Sequence, residues 1–241
     1  TICGGPLSTL VPDDIVQHDC VDIVGRGEAE EKLVDLVDTL EKHGIEEGWS
    51  KLYNIPNFWV KDKDYKNNGI VHKNAVTLPD ISKGLPPDLS IFDPRHFLRP
   101  LGGRMYNMAT VIWTRGCVFR CSYCANETFY KAAKVSAKQY YRQKDPELLV
   151  KELAEFKEKF NLNFLMFVDD IFPLHEPEMM KVFCSLYKEL VDLPFSVNLQ
   201  PRLVREDTFA MAVDAGMRNI CCGVESGSER VRRKVLKRNY N

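Results

Sequence analysis

The sequence has no excess of charge of one sign, no long apolar run and no initiating methionine. Its 33 basic and 34 acidic side chains give a formal net charge of −1, so no global field would attract nucleic acid or an anionic membrane. No apolar stretch approaches the ~20 residues that a membrane-spanning helix needs. We therefore predict neither a nucleic-acid partner nor a membrane span. Because the chain starts at Thr1, we expect further sequence upstream.

The chain also lacks a fourth cysteine close to its group of three. Cys117, Cys121 and Cys124 lie in the stretch TRGCVFRCSYCAN, with C-x3-C-x2-C spacing. Thiolates are the usual protein ligands of iron-sulfur clusters, and a four-iron cluster held by three of them keeps one iron open to another ligand. We therefore predict that these cysteines hold a 4Fe-4S cluster. Cysteine usage of this kind fits a reducing compartment, so we also predict a cytoplasmic location.

A structural zinc site and a chance group of buried thiols are the alternatives for this motif. Zinc sites generally take four protein ligands, typically as two short pairs, and the C-x3-C-x2-C spacing does not match that arrangement. Buried thiols pack as small apolar side chains, whereas this stretch contains Arg115, Arg120 and Ser122. An iron-sulfur cluster fits the motif better than either alternative.

Alternating apolar segments divide the chain into three predicted parts, which are residues 1–44, 45–108 and 109–241. In the first part, strands alternate with helices, which predicts the remnant of a parallel, Rossmann-like sheet with a long helix that Gly44 ends. The second part is a connecting segment, in which Asn68 and Gly69 predict a hairpin.

The third part predicts an α/β fold with about four βα units, half of an eightfold barrel. Its predicted strands are Thr110 to Trp113, Phe164 to Val168, Phe195 to Leu199 and Arg218 to Val224. Asp145 and Pro146 predict the start of the helix after the first strand. Helical spacing predicts three buried stripes, which are Leu33, Leu36, Val37 and Leu40; Leu149, Leu153, Phe156 and Phe160; and Met179, Phe183, Leu186 and Leu190.

The cysteine motif, with Tyr123 directly before the last cysteine, resembles the signature of the radical S-adenosylmethionine (SAM) enzymes. Three later segments are similar to successive strand ends of that family, namely FVDDIF at 167–172, NLQPR at 198–202 and GVESGSERV at 223–231. CGGPLSTLVPDDI at 3–15 and VDIVGRGEAE at 21–30 are similar to the closing part of the cobalamin-binding domain that precedes the radical domain in one large subfamily. The resemblance implies a partial radical SAM barrel, with about two further units beyond Asn241.

The resemblance also assigns site residues. It implies that Cys117, Cys121 and Cys124 hold the cluster and that the amino and carboxylate groups of SAM chelate the open iron. Tyr123 is then expected beside the adenine. Further SAM contacts are expected from Asp169, Arg202, Glu225 and Ser226, with Arg202 on the carboxylate and Glu225 on the ribose or the ammonium. Asp169 and Asp170 are adjacent, so only one of them can face the site, and helix capping is the alternative role for both.

For cobalamin, the resemblance implies contacts between the nucleotide tail and Gly4, Gly5, Ser8 and Thr9. Glycine allows close approach of the backbone, and the two hydroxyl groups could donate hydrogen bonds. An ordinary strand-to-helix turn is the alternative explanation for the two glycines. The resemblance thus implies three cofactors for the full-length protein, which are a 4Fe-4S cluster, SAM and cobalamin.

The implied function is an enzyme that generates a 5'-deoxyadenosyl radical, with methylation of the substrate as the expected outcome if cobalamin is present. Its expected partners are a small-molecule or peptide substrate and an external one-electron reductant such as flavodoxin or ferredoxin. Two alternatives stay open, namely an electron-transfer protein and a cluster-binding fragment without catalysis.

The sequence also predicts that a C-terminal basic run forms a solvated helix face with Ser228 as its N-cap. The run comprises Arg230, Arg232, Arg233, Lys234, Lys237 and Arg238.

Overall fold

The structure is a computed structural model that describes residues 1–82, 84 and 86–238. The chain divides into two compact units. The first contains Thr1–Pro79 and Cys124–Tyr140, and the second contains Asp80–Tyr123 and Tyr141–Asn241. These units are divided differently from the three predicted parts. Residues 83 and 85 of the predicted connecting segment, and residues 239–241 of the predicted barrel, lie outside the described residues.

The first unit is built on a four-stranded sheet with the order β1-β2-β3-β4. Its strands are Ile2–Cys3 (β1), Ile23–Gly25 (β2), Phe58–Lys61 (β3) and Val71–Lys73 (β4). β1 and β2 pair in parallel, whereas β3 pairs antiparallel with both β2 and β4. The sheet is therefore mixed, although strand and helix alternation predicted a parallel one. The reason is that the predicted hairpin adds its two strands to this sheet.

The helices of the first unit are Pro6–Leu10 (α1), Pro12–Val16 (α2), Glu30–Gly48 (α3), Tyr65–Asn68 (α4), Asn126–Ala132 (α5) and Ala137–Tyr140 (α6). Gly44 interrupts α3 with a φ of 69°, as its predicted role as a helix end requires, but the chain resumes helical turns to Gly48. In the predicted stripe of α3, Leu36 is buried, whereas Leu33 and Val37 are exposed. The stripe prediction is therefore wrong for these two residues. Leu36 packs with a core formed by Ile23, Leu52, Phe58 and Val60.

The second unit is built on a five-stranded sheet with the order β11-β10-β9-β6-β5. Its strands are Leu98–Leu101 (β5), Arg104–Val111 (β6), Phe164–Phe167 (β9), Phe195–Asn198 (β10) and Met217–Cys221 (β11), and a separate pair is formed by Thr114–Arg115 (β7) and Arg142–Gln143 (β8). β6, β9, β10 and β11 run parallel to one another. These are the four predicted strands, and they do not close into a barrel among the described residues.

β5 is antiparallel to β6 and was not predicted as a strand. The turn between them contains Gly102 and Gly103, with φ values of 57° and 76°, a left-handed region that two-residue hairpin turns favour. Because β6 pairs with β5 in this hairpin, it begins at Arg104 rather than at the predicted Thr110.

Three helices connect the parallel strands in sequence, namely Pro146–Phe160 (α7), Pro177–Leu190 (α8) and Glu206–Asp214 (α9). α7 begins as predicted, because the Asp145 side chain accepts hydrogen bonds from the backbone N–H groups of Glu147 and Leu148. Its predicted stripe is confirmed, with Leu149, Leu153 and Phe156 buried and Phe160 packed against the same core. The predicted stripe of α8 is confirmed for three residues, since Phe183 is buried and Met179 and Leu186 pack against the same core, and it is wrong for Leu190, which is exposed. The further buried residues of α8 are Met180, Cys184 and Tyr187.

Aromatic side chains dominate the core of the second unit. The ring centroids of Trp113 and Phe183 are 4.4 Å apart, and those of Phe167 and Phe195 are 5.5 Å apart. Full burial of such a side chain contributes roughly 1.5–3 kcal/mol, so this cluster fixes the helices on the sheet. Trp113 lies two residues after the end of β6, so the core extends to the edge of the sheet at which the strands end. Within the described residues, no helix has the length and apolar character needed to cross a membrane.

Candidate cofactor site

The predicted site residues of the second unit lie at one edge of its sheet. Parallel strands that are neighbours in a sheet end at the same edge, and β6, β9, β10 and β11 are such neighbours. Cys117 follows β6, Asp169 follows β9, Arg202 follows β10 and Glu225 follows β11. The fold therefore brings to one edge residues that span more than one hundred positions in sequence.

We call residues 116–123, which belong to the second unit, the cysteine loop. Cys117 is half-buried and Cys121 is buried, and none of the eight cysteines of the chain forms a disulfide. Cys124 is half-buried and belongs to the first unit. Among the described residues, no three His, Cys, Asp or Glu side chains are arranged to hold a metal ion. Three sheltered thiols outside disulfides nevertheless fit a thiolate-bound cluster in their donor chemistry.

Asp169 is tied to the backbone that leads into the cysteine loop. Its side chain is buried, and Oδ1 accepts hydrogen bonds from the backbone N–H groups of Trp113, at 2.9 Å, and of Thr114. Oδ2 is buried and has no hydrogen-bond partner within the part of the chain that the structure describes. Burial raises the pKa of Asp169 to about 7, although the backbone hydrogen bonds lower it. The sequence did not predict these backbone partners.

Asp170 is exposed, and its Oδ2 accepts a hydrogen bond from the backbone N–H of Gly116 at 3.2 Å. One aspartate is thus buried and the other exposed, as expected for adjacent residues at the end of a strand. Neither of them caps a helix, because the next helix, α8, has Glu176 at its N-cap. The alternative role as helix caps is therefore wrong for both.

Tyr123 and Glu225 are linked by Arg238. Arg238 Nη1 donates a hydrogen bond to Tyr123 Oη at 2.6 Å and lies 3.6 Å from Glu225 Oε1, while Nη2 donates to the carbonyl of Gly223 at 2.8 Å. Partial burial and a hydrogen bond with Glu225 raise the pKa of Tyr123 to about 12, against the lowering effect of Arg238. The prediction that Arg238 lies on a solvated face is therefore wrong, since its side chain is only 12% exposed.

Ser122 and Ser226 also have partners within the second unit. Ser122 donates hydrogen bonds from its backbone N–H to the carbonyl of Leu236 at 3.1 Å and from Oγ to the carbonyl of Val235 at 2.7 Å. Ser226 Oγ accepts from the backbone N–H of Ser228 at 3.1 Å. Ser228 Oγ in turn accepts from the N–H of Val231 at 3.4 Å, which agrees with its predicted capping role.

Arg202 lies beside the cysteine loop. Its guanidinium carbon is 5.5 Å from the ring centroid of Phe119, within the range of a cation–π contact. The guanidinium is exposed and could therefore turn toward a carboxylate without breaking a buried contact.

The residues predicted to contact cobalamin lie in the first unit and bond with one another. Ser8 and Thr9 are buried, and their hydroxyl groups each donate a hydrogen bond of 3.2 Å, to the carbonyls of Gly4 and Gly5 respectively. Thr9 Oγ1 also accepts from the N–H of Gly27 at 2.8 Å. These contacts describe a strand-to-helix turn, in which Gly5 takes a φ of 91°. The contact with cobalamin stays a prediction.

Residues 111–241, more than half of the chain, match the family described as the Radical SAM superfamily. The chain belongs to this superfamily. Its membership confirms the resemblance of the cysteine motif and the prediction of an enzyme family, and it agrees with an α/β fold. The matched range begins at the end of β6 and includes every predicted site residue of the second unit and Cys124.

Three relatives show the range of proteins that the chain is similar to. It is 24% identical to an uncharacterized methyltransferase of Pyrococcus horikoshii, over 95% of this chain and 46% of the relative. It is 25% identical to the anaerobic magnesium-protoporphyrin IX monomethyl ester cyclase of Cereibacter sphaeroides, over 95% and 35%. It is 23% identical to the hopanoid C-3 methylase of Methylococcus capsulatus, over 98% and 42%. The chain therefore spans less than half the length of these relatives.

Proposed function

We propose that the full-length protein is a radical SAM enzyme in which Cys117, Cys121 and Cys124 hold a 4Fe-4S cluster. One observation carries this proposal, namely that the cysteine loop shares a sheet edge with the strand-end groups at Asp169, Arg202 and Glu225 within a chain of this superfamily. These three thiolates would hold a cluster whose chemistry is one-electron transfer: with an electron from an external reductant, it would allow a carbon–sulfur bond of SAM to break and a 5'-deoxyadenosyl radical to take hydrogen from the substrate.

The chain's own residues bind and orient SAM. Tyr123 presents a ring that is 48% exposed, which suits stacking against the adenine. Glu225 would accept hydrogen bonds from the ribose or pair with the ammonium group, and Ser226 adjoins it. Arg202 would hold the carboxylate with its guanidinium fork. Because Arg238 contacts both Tyr123 and Glu225, the two groups on the nucleoside side are already held together by a common partner.

We also propose that the substrate is modified at a carbon–hydrogen bond, with methylation as the outcome and cobalamin as the methyl carrier. The relatives support this class, since they include a methyltransferase, a methylase and a cyclase. The expected partners are a small-molecule or peptide substrate and flavodoxin or ferredoxin as the external reductant. A cluster with thiolate ligands requires a reducing compartment, so we place the protein in the cytoplasm.

Anaerobic reconstitution with iron and sulfide, followed by an assay for 5'-deoxyadenosine, tests the proposal. We expect about four iron and four sulfide ions per full-length chain and formation of 5'-deoxyadenosine after reduction. Cys121→Ala should abolish both, whereas Cys184→Ala, which removes a thiol of α8, should keep both. A cluster without 5'-deoxyadenosine would favour an electron-transfer protein or a noncatalytic fragment. Uptake of zinc in preference to iron would overturn the proposal.

A further inference from the structure

The end of β6 and the end of β9 are joined by side-chain hydrogen bonds rather than by the strand ladder alone. The ladder pairs Val111 with Phe167, and the Asp169 side chain then continues the connection to Trp113 and Thr114. Thr114 adds a second link, because its Oγ1 donates a hydrogen bond of 2.8 Å to the carbonyl of Ile171. The backbone just before the cysteine loop is therefore bonded to the segment after β9.

Asp170 extends this connection into the loop itself. Its Oδ2 accepts from the N–H of Gly116, the residue directly before Cys117. Gly116 takes a φ of 92°, in a region that side chains other than glycine rarely adopt. Four consecutive positions, 113 to 116, thus contain three backbone N–H groups that donate to two adjacent carboxylates.

We infer that Asp169 is a positioning residue, which together with Asp170 holds the start of the cysteine loop so that Cys117 faces the cluster. This role replaces the predicted contact between Asp169 and SAM. The inference rests on the proposed function, because it assumes that Cys117 is a cluster ligand. It also explains why a carboxylate lies buried at this place, since buried acceptors that bind backbone N–H groups fix a loop in one conformation.

The burial of Asp169 supports a positioning role over a direct contact with a ligand. Its side chain is 1% exposed, and its Oδ1 already accepts two N–H groups. Groups of this kind, which orient the ligands of a metal from outside the coordination shell, typically change metal affinity by about 10–100-fold when they are removed.

The sheet provides a matched control at its opposite edge. Asn163, just before β9, accepts a hydrogen bond from the backbone N–H of Asn107 in β6 through Oδ1, at 2.9 Å. This bond joins the same two strands just before the first pair of their ladder, Met108 with Phe164, at the end of the ladder that is remote from the cysteine loop. Asn163→Ala therefore removes a side-chain link of the same type without touching the residues that lead to Cys117.

The test compares four variants of the full-length protein, namely Asp169→Leu, Asp169→Asn, Asp170→Ala and Asn163→Ala. Reconstituted protein is challenged with an iron chelator, and the electron paramagnetic resonance spectrum of the reduced cluster is recorded with and without SAM. We expect Asp169→Leu to lose iron about tenfold faster than the wild type and to lose the SAM-dependent change of the spectrum. Asp169→Asn keeps an acceptor oxygen and should restore both properties. Asn163→Ala should behave as the wild type.

Amide hydrogen exchange in the cluster-free protein gives a second measurement that does not need the cluster. Asp169→Leu should accelerate exchange at positions 113 and 114 about tenfold or more, and Asp170→Ala should do so at position 116. Because Asp170 is exposed, its variant folds even if Asp169→Leu does not. If both variants exchange as the wild type does, or if Asn163→Ala loses iron as fast as Asp169→Leu, the inference is overturned. A wild-type protein that takes up no cluster would instead overturn the proposed function, and the exchange rates alone would then decide the role of Asp169.

Discussion

Arg238 Nη1 and Tyr123 Oη lie 2.6 Å apart although 115 residues separate them in sequence. The bond connects the C-terminal basic run with the residue directly before Cys124, and the same guanidinium lies near Glu225. Arg238 is therefore the residue that joins the predicted adenine contact to the predicted ribose contact.

Replacement of Arg238 by alanine should weaken SAM binding without removing the cluster. A hydrogen bond to a charged group contributes about 1.5–3 kcal/mol where it is sheltered, and this site is partly exposed, so we expect a loss of about 1 kcal/mol, or roughly fivefold in Kd. Isothermal titration with SAM against reconstituted protein measures this change.

The control for this variant is Arg233→Ala, which removes another arginine of the same basic run. Arg233 pairs with Glu229 one helical turn away at 3.0 Å, and both side chains are about half exposed. We expect its SAM affinity and iron content to stay at the wild-type level. Tighter SAM binding by Arg238→Ala would show that Arg238 competes with the cofactor for Glu225, which contradicts the orienting role.

The contact between Arg238 and Tyr123 could not be predicted from the sequence. An arginine among five other cations carries no signal of a partner that is 115 positions away, because pairing at that separation depends on how the strands are ordered. The four parallel strands, by contrast, were predicted, since buried apolar runs between helices have a strong local pattern. Only the start of β6, at Arg104 instead of Thr110, differs by more than a few residues. The cluster role of the three cysteines depends on an equally local pattern, their C-x3-C-x2-C spacing, and stays a prediction.

The buried face of α8 shows a second limit. Of its predicted residues, Phe183 is buried, Met179 and Leu186 pack against the core and Leu190 is exposed. The structure also buries Met180 and Tyr187, which were not predicted. The aromatic cluster accounts for Tyr187, since the rings of Tyr187 and Phe195 lie 5.0 Å apart. That contact depends on tertiary packing and is absent from the periodicity.

The stability of the cluster-free protein should depend on pH through Asp169. Because the pKa of Asp169 is raised to about 7 in the folded state, the folded state keeps its proton at pH values where the unfolded state has released it. Stability should therefore fall as pH rises from about 4 to 7, by at most about 1.4 kcal/mol per pH unit. Asp169→Asn cannot ionise, so the difference in stability between variant and wild type should grow with pH over this range.

Denaturant unfolding at several pH values, followed by the fluorescence of Trp113, measures this difference. The other two tryptophans, Trp49 and Trp59, belong to the first unit and can be replaced by phenylalanine in both proteins. A variant whose stability runs parallel to that of the wild type between pH 4 and 7 would show that the Asp169 carboxyl group does not titrate in this range.

The N-cap of α7 should contribute to stability but not to chemistry. Asp145 Oδ1 accepts from the N–H groups of Glu147, at 2.9 Å, and Leu148, at 3.1 Å. Replacement by alanine leaves both donors without their acceptor and should cost about 1 kcal/mol of unfolding free energy. Asp145→Ser, which can cap the helix, should recover most of that loss. Equal stability of the alanine and serine variants, measured by denaturant unfolding, would contradict the capping role.

The lack of a side chain at Gly223 should be needed for tight SAM binding, because Glu225 occupies the space that a side chain would take. A Cβ atom at this position would overlap Glu225 Oε1, and it would lie 3.7 Å from Arg238 Nη2. Gly223→Ala must therefore move the Glu225 carboxylate, which is the far end of a flexible side chain, rather than the backbone. We expect stability to change by less than about 0.5 kcal/mol, whereas SAM affinity should fall about tenfold, or about 1.4 kcal/mol.

Gly227→Ala is the matched control, because a Cβ at Gly227 meets no atom within 4 Å. Gly223 and Gly227 flank Glu225 in the same segment after β11, and neither has a positive φ among the described residues, so both alanine variants change the same backbone to a similar extent. SAM titration and iron content measured on both variants separate the two effects. If the two variants bind SAM equally well, Glu225 does not contact the cofactor from its present position, and the ribose or ammonium contact has to come from another residue of this sheet edge.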